Sequence, residues 1–130
     1  MARNTRNFSD LDLNFISHPE TRDVTHKYDE QAIKQSIRNL IMTQNYERPF
    51  HSEIGSQIRG LLFEQITPML HLLIKRSISD TIINFEPRVN LIDVLVRISP
   101  DQNDVYASIE FTIINTTSPL QIDLVLKRTR

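Results

Sequence analysis

Apolar residues change their spacing once along this chain, and the change falls at Asn84-Phe85-Glu86-Pro87-Arg88. Before it they recur every three or four positions, the period of a helix face; after it they alternate, the period of a strand. Ile33, Ile37, Leu40 and Ile41 predict a first helix from Asp29, an N-cap, to about Thr43. A second helix is expected from Ser52, with Ile54, Ile58, Leu61, Leu62 and Ile66 turned inward. Gly55 and Gly60 within it cost helix propensity, about 1 kcal/mol each against alanine, and point to close backbone approach. Thr67-Pro68 reads as an N-cap followed by proline at the first helical position. The third helix then runs over 68–84, with Leu70, Leu73, Ile74, Ile78 and Ile82 as its stripe, and Pro87 ends it.

Beyond Arg88 three strands are expected. Ile92, Val94, Val96 and Ile98 share a face of the first; Val105, Ala107, Ile109, Phe111 and Ile113 share a face of the second. Leu120, Ile122, Leu124 and Leu126 define the third, with polar turns over 99–104 and 115–119. Connections this short predict an antiparallel meander. Its apolar face needs cover, and the helices supply it. The fold class is therefore α+β: an N-terminal arm (1–28), a helical part (29–85) and an antiparallel sheet (89–127) in a single domain of 130 residues. In the arm, Phe8 to Ile16 alternates as a short strand or strap, Val24 and Tyr28 are anchors, and Lys127 to Arg130 is expected to fray.

Composition narrows the function. Fifteen Lys and Arg balance 16 Asp and Glu, so no basic face for nucleic acid is expected. Without cysteine there is no disulfide framework or thiolate site, and the four histidines lack ligand spacing, so neither metal nor cofactor is expected. No apolar run approaches the ~20 residues of a membrane helix, and two glycines exclude a Gly-rich phosphate loop. Glu86 is a candidate general acid, but Arg88 beside it favours the ionised form, and no second carboxylate is singled out. Two readings of Glu86-Pro87-Arg88 stay open. One is a helix stop with a local charge pair; the other is a rigid turn that docks on a partner or on another part of the fold. Ile114 and Val125 add apolar surface at the end of the sheet, and its outermost strand, on whichever side, offers a site for strand addition.

The order Arg48-Pro49-Phe50, Glu53-Ile54-Gly55, Leu62-Phe63-Glu64, Thr67-Pro68, Phe85-Glu86-Pro87-Arg88 resembles the small baseplate wedge protein of contractile-tailed bacteriophages. That family is related to a type VI secretion baseplate subunit and carries a historical lysozyme-like label. Tyr46, Ser52 and Ile54 depart from its pattern in the loop entering the second helix. The resemblance implies a structural, non-enzymatic virion protein of the tail baseplate, assembled in the host cytoplasm. Implied partners are the core bundle of the larger wedge proteins, the tail sheath, and tube or hub proteins. Glu86, Pro87 and Arg88, with Arg48, Pro49 and Phe50, become the expected docking residues. Leu120, Ile122, Leu124 and Leu126 become the strand that pairs with sheath and templates its first ring. A peptidoglycan-degrading enzyme and a soluble regulatory adaptor of the same fold are the alternatives.

Overall fold

The computed structural model describes residues 9–11, 20, 26–114 and 116–128. The chain divides into two compact units, residues 1–36 and 37–130, with the boundary inside the first helix. In the first unit, β1 (Ser9–Leu11) pairs antiparallel with β2 (His26–Tyr28). The polar stretch holding β2 gives no strand signal, so the sequence reading missed it. The Gln35 side-chain amide donates to the Leu11 carbonyl at 2.7 Å. Expectations for Phe8, Val24 and most of the 12–25 stretch lie outside the described residues.

Helix α1 (Asp29–Met42) follows β2 directly. Asp29 at the join has φ 48°, a conformation aspartate tolerates better than most residues. The expected stripe of Ile33, Ile37, Leu40 and Ile41 is buried, and Ala32 joins it.

The second helix is far shorter than expected. Only Ile58–Leu61 is helical (α2), while residues 43–57 form a closed loop. Tertiary pairing overrides the local pattern. The Ser56 N–H donates to the Thr43 carbonyl at 2.8 Å, and the Asn45 N–H to the Ser56 carbonyl at 3.2 Å. A parallel bridge thus joins Gln44 to Ser56. Gly55 at φ 140° makes the approach possible, because a Cβ there would sit 2.8 Å from the Thr43 oxygen. Gly60 has no such role: nothing lies within 4 Å of a Cβ built on it. Ile58 and Leu62 are buried as expected, whereas Ile66 is exposed.

Helix α3 (Pro68–Phe85) matches its sequence signals at both ends. The Thr67 hydroxyl accepts from the Leu70 N–H at 3.3 Å, and Pro68 opens the helix. Leu70, Ile74, Ile78 and Ile82 are buried, together with Thr81. Leu73, expected inside, is exposed; the face that packs along β3 is rotated toward Thr81, whose hydroxyl is satisfied by the Ser77 carbonyl.

The meander consists of β3 (Val89–Ser99), β4 (Asp104–Ile113) and β5 (Leu120–Lys127), antiparallel in that order. Val105, Ala107, Ile109 and Phe111 of the central strand are buried, with Ile122, Leu124 and Leu126 of β5 beside them. The expected face of β3 is corrected at one residue. A bulge between Leu91 and Asp93 leaves Ile92 unpaired and 52% exposed, so Val89 and Val94 hold the inner face on either side of it. Among the described residues no helix is long and apolar enough to cross a membrane.

Candidate interaction sites

The Glu86-Pro87-Arg88 turn is fixed at both ends. Pro87 disfavours helical geometry in the residue before it, and Glu86 is extended at φ −124°, ψ 82°. Its N–H still closes α3 on the Ile82 carbonyl at 2.9 Å. Two residues later the Arg88 carbonyl accepts from the Ile114 N–H at 2.9 Å, extending the β3–β4 ladder. Between these anchors the side chains meet in a two-pronged pair. Arg88 Nε donates to Glu86 Oε1 at 2.7 Å, and Nη2 to Oε2 at 3.0 Å. The Glu86 side chain is 2% exposed and that of Arg88 23%. Glu86 is therefore the buried holder of the turn, and Pro87 with part of Arg88 forms its surface.

Arg48, Pro49 and Phe50 lie at the tip of the 43–57 loop, away from that pair in sequence. All three are exposed, and the Phe50 residue is 99% so. The loop is pinned from within. The Tyr46 N–H donates to the Ser52 carbonyl at 2.8 Å, the Gln44 N–H to Glu47 Oε2 at 2.9 Å, and buried Ser56 Oγ to the Ile41 carbonyl at 2.7 Å. Tyr46 and Phe50 have φ of 69° and 71°. An aromatic ring held clear of its own core on an internally braced loop is the kind of group that anchors protein interfaces.

The sheet has two outer strands, and hydrogen-bond phase separates them. On the β5 side the Arg128 N–H donates to the Asn103 carbonyl at 3.0 Å, which sets the alternation of the ladder. Leu120, Ile122, Leu124 and Leu126 consequently turn their backbone groups toward β4, and most of their side chains into the core. The backbone groups that face outward belong to Gln121, Asp123, Val125 and Lys127. The resemblance points to the first four for strand pairing; the ladder's phase turns the backbone groups of the second four outward. Among the described residues these outward amides have no backbone partner.

On β3 the corresponding groups belong to Val94, Val96 and Ile98. Side chains meet two of these groups. Asp93 Oδ1 accepts from the Val94 N–H at 2.8 Å, and His71 Nδ1 of α3 lies 3.4 Å from the Val96 carbonyl. Lys75 holds Asp93 at 3.0 Å. The Lys75 hydrogen bond, the Val94 amide and the lysine charge together keep the Asp93 carboxyl below its ordinary range. With a bulge, a lysine and a capped amide, β3 carries the usual devices against edge pairing; β5 carries none of them in its middle.

The basic C-terminal stretch is not simply frayed. Arg128 Nε donates to the Leu62 carbonyl at 2.8 Å and Nη2 to that of Glu64, so it caps the chain leaving α2. Thr129 and Arg130 lie outside the described residues. Among the described residues no cluster of His, Asp and Glu is arranged to hold a metal ion.

These features define a small α+β scaffold with one guarded and one open strand edge. Residues 27–118 match the family model described as baseplate wedge protein gp25. The chain is 28% identical over 121 residues to baseplate wedge protein gp25 of Enterobacteria phage T4, covering 93% of this chain and 91% of that one. Two solved structures share the fold. A putative tail lysozyme from Geobacter sulfurreducens superposes with a TM-score of 0.70 at 24% identity, over 78% of this chain and 92% of the other. A chain of the anti-feeding prophage baseplate gives 0.66 at 23% identity, over 95% and 87%. The protein belongs to the gp25 baseplate wedge family of contractile tail systems.

Proposed function

We propose that this protein joins the inner wedge of a tail baseplate to the tail sheath, and starts the first sheath ring by strand addition at β5. The observation that carries the reading is the contrast between the two outer strands. Backbone groups of Gln121, Asp123, Val125 and Lys127 face outward without a backbone partner among the described residues, while on β3 the Val94 N–H is met by Asp93 and the Val96 carbonyl by His71. An extended segment that pairs with β5 continues the ladder at no cost to the existing fold. The Glu86-Pro87-Arg88 turn and the Arg48-Pro49-Phe50 tip are the proposed docking points for the helical core bundle of the larger wedge proteins. Within the turn, Pro87 and Arg88 make the contact and Glu86 fixes Arg88. The protein acts in the virion tail, assembled in the host cytoplasm, and other baseplate proteins are its partners.

The role is structural. A general acid has to reach a glycosidic oxygen, and both Glu86 oxygens are engaged by Arg88 in a side chain almost closed to solvent. This geometry suits a fixed turn.

Val125→Pro tests the edge. Proline there removes an outward N–H and leaves the β4–β5 ladder intact, a position where edge strands accept it. The variant is expected to fold and enter the baseplate, yet to assemble no sheath. Sheath of normal length on Val125→Pro baseplates would refute the assignment.

A further inference from the structure

An apolar groove of about 390 Å³ adjoins the C-terminal end of β5. Met42 from the end of α1, and Ile58, Leu62 and Phe63 from α2 and the residues after it, line it against Val125 and Leu126. Met42, Phe63 and Val125 are large apolar residues left exposed there. Two cations, Arg59 and Lys127, also line the groove. Neither has an ion-pair partner among the described residues; the nearby Arg128 is occupied by backbone carbonyls.

Three properties of the occupant follow. It is extended, because what borders the groove is a strand edge with outward N–H and C=O groups at Val125 and Lys127. It alternates, because successive side chains of an added strand point to opposite faces, and only the inward set meets the groove. It is acidic at this end, because Arg59 and Lys127 flank the groove and like charge opposite them would repel. The volume admits a few aliphatic side chains.

We infer that the β5 edge selects an extended segment with apolar residues at alternate positions and a carboxylate placed against Arg59 and Lys127. The inference rests on the assignment of β5 as the joining edge and adds the side-chain chemistry of the incoming strand. It makes partner choice a matter of charge at one end of the added strand, while the backbone ladder supplies register along the rest.

Two synthetic peptides separate the inference from the edge assignment beneath it. Both alternate valine and threonine; one carries a single aspartate near one end, the other a lysine at that position. Binding to the full chain is followed by fluorescence anisotropy at low salt, and contact by the amide NMR signals of β5. The aspartate peptide is expected to bind about five-fold tighter than the lysine peptide, the scale of exposed ion pairs exchanged for repulsion. The preference is expected to invert in the Arg59→Glu/Lys127→Glu variant, whose changes lie on the surface and leave the core intact. Equal binding of the two peptides with β5 amides shifted would overturn the inference and spare the edge assignment. Binding of either peptide with β5 amides unmoved, or no binding, would overturn both.

Discussion

Gly55→Ala is expected to lower the unfolding free energy by about 2–6 kcal/mol, measured by urea denaturation at neutral pH. Two independent costs add. The backbone at φ 140° is one that residues with a Cβ rarely adopt, worth about 1–3 kcal/mol. The added carbon would also lie 2.8 Å from the Thr43 oxygen and 2.9 Å from the Gln44 carbonyl carbon. These are main-chain atoms held by the Gln44–Ser56 bridge, so they cannot swing aside as a side chain would; relieving such overpacking costs a further 1–3 kcal/mol or so. Gly60→Ala is the internal control. It lies in α2 with open space around it, and alanine there is expected to be neutral or stabilising by up to about 1 kcal/mol. A Gly55→Ala protein as stable as its parent would mean that residues 43 and 56 are not joined in solution.

Arg88→Ala carries the second large effect, a loss of about 2–4 kcal/mol. Removing the guanidinium strips two hydrogen bonds from a carboxylate whose side chain is 2% exposed. Arg88 retains some solvent contact, which places the loss below that of a fully enclosed pair. Charge, rather than packing, is the reason for the cost. Glu86→Gln on the Arg88→Ala background is therefore expected to restore at least half of it. A double-mutant cycle reads the coupling directly, and additive effects of the two changes would contradict the pairing. The cycle also separates the turn's two roles. Baseplate incorporation compared at equal folded fraction should fall for Arg88→Ala and remain low once Glu86→Gln is added, because that second change returns stability without returning the arginine.

The parts of the fold legible in sequence are those whose signals are local. Thr67-Pro68 marks the start of α3 because capping and proline act within one turn, and Pro87 marks its end for the same reason. The period-two runs of β4 and β5 give the sheet, since a one-residue slip would turn every buried side chain outward. Misreadings trace to long-range pairing. Ile54, Ile58 and Leu62 have helical spacing, yet residues 52–57 are held out of the helix by a bridge to Gln44, which no local pattern announces. Leu91, Ile92, Val94 and Leu95 fill both faces of β3 with apolar groups, so the bulge that sets Ile92 aside leaves no trace in the alternation. β2 is polar and gains its strand character from pairing with β1.

The candidate sites divide in the same way. That Glu86 and Arg88 interact is readable from opposite charges across a proline; that Glu86 faces inward while Arg88 reaches the surface depends on the exit angle of α3. That an outer strand of the meander offers a place for strand addition was readable from position alone, but which of the two edges was not. Nor was the set of residues that present the edge, because side-chain alternation and hydrogen-bond phase are different quantities, and the second is fixed by pairings such as Arg128–Asn103.

The joining of wedge and sheath at β5 is tested most directly by amide hydrogen exchange in this protein, with and without assembled sheath. Sheath addition is expected to slow exchange at Gln121, Asp123, Val125 and Lys127 and to leave Val94, Val96 and Ile98 unchanged. Protection that appears on β3, with β5 exchanging as in the free protein, would contradict the account.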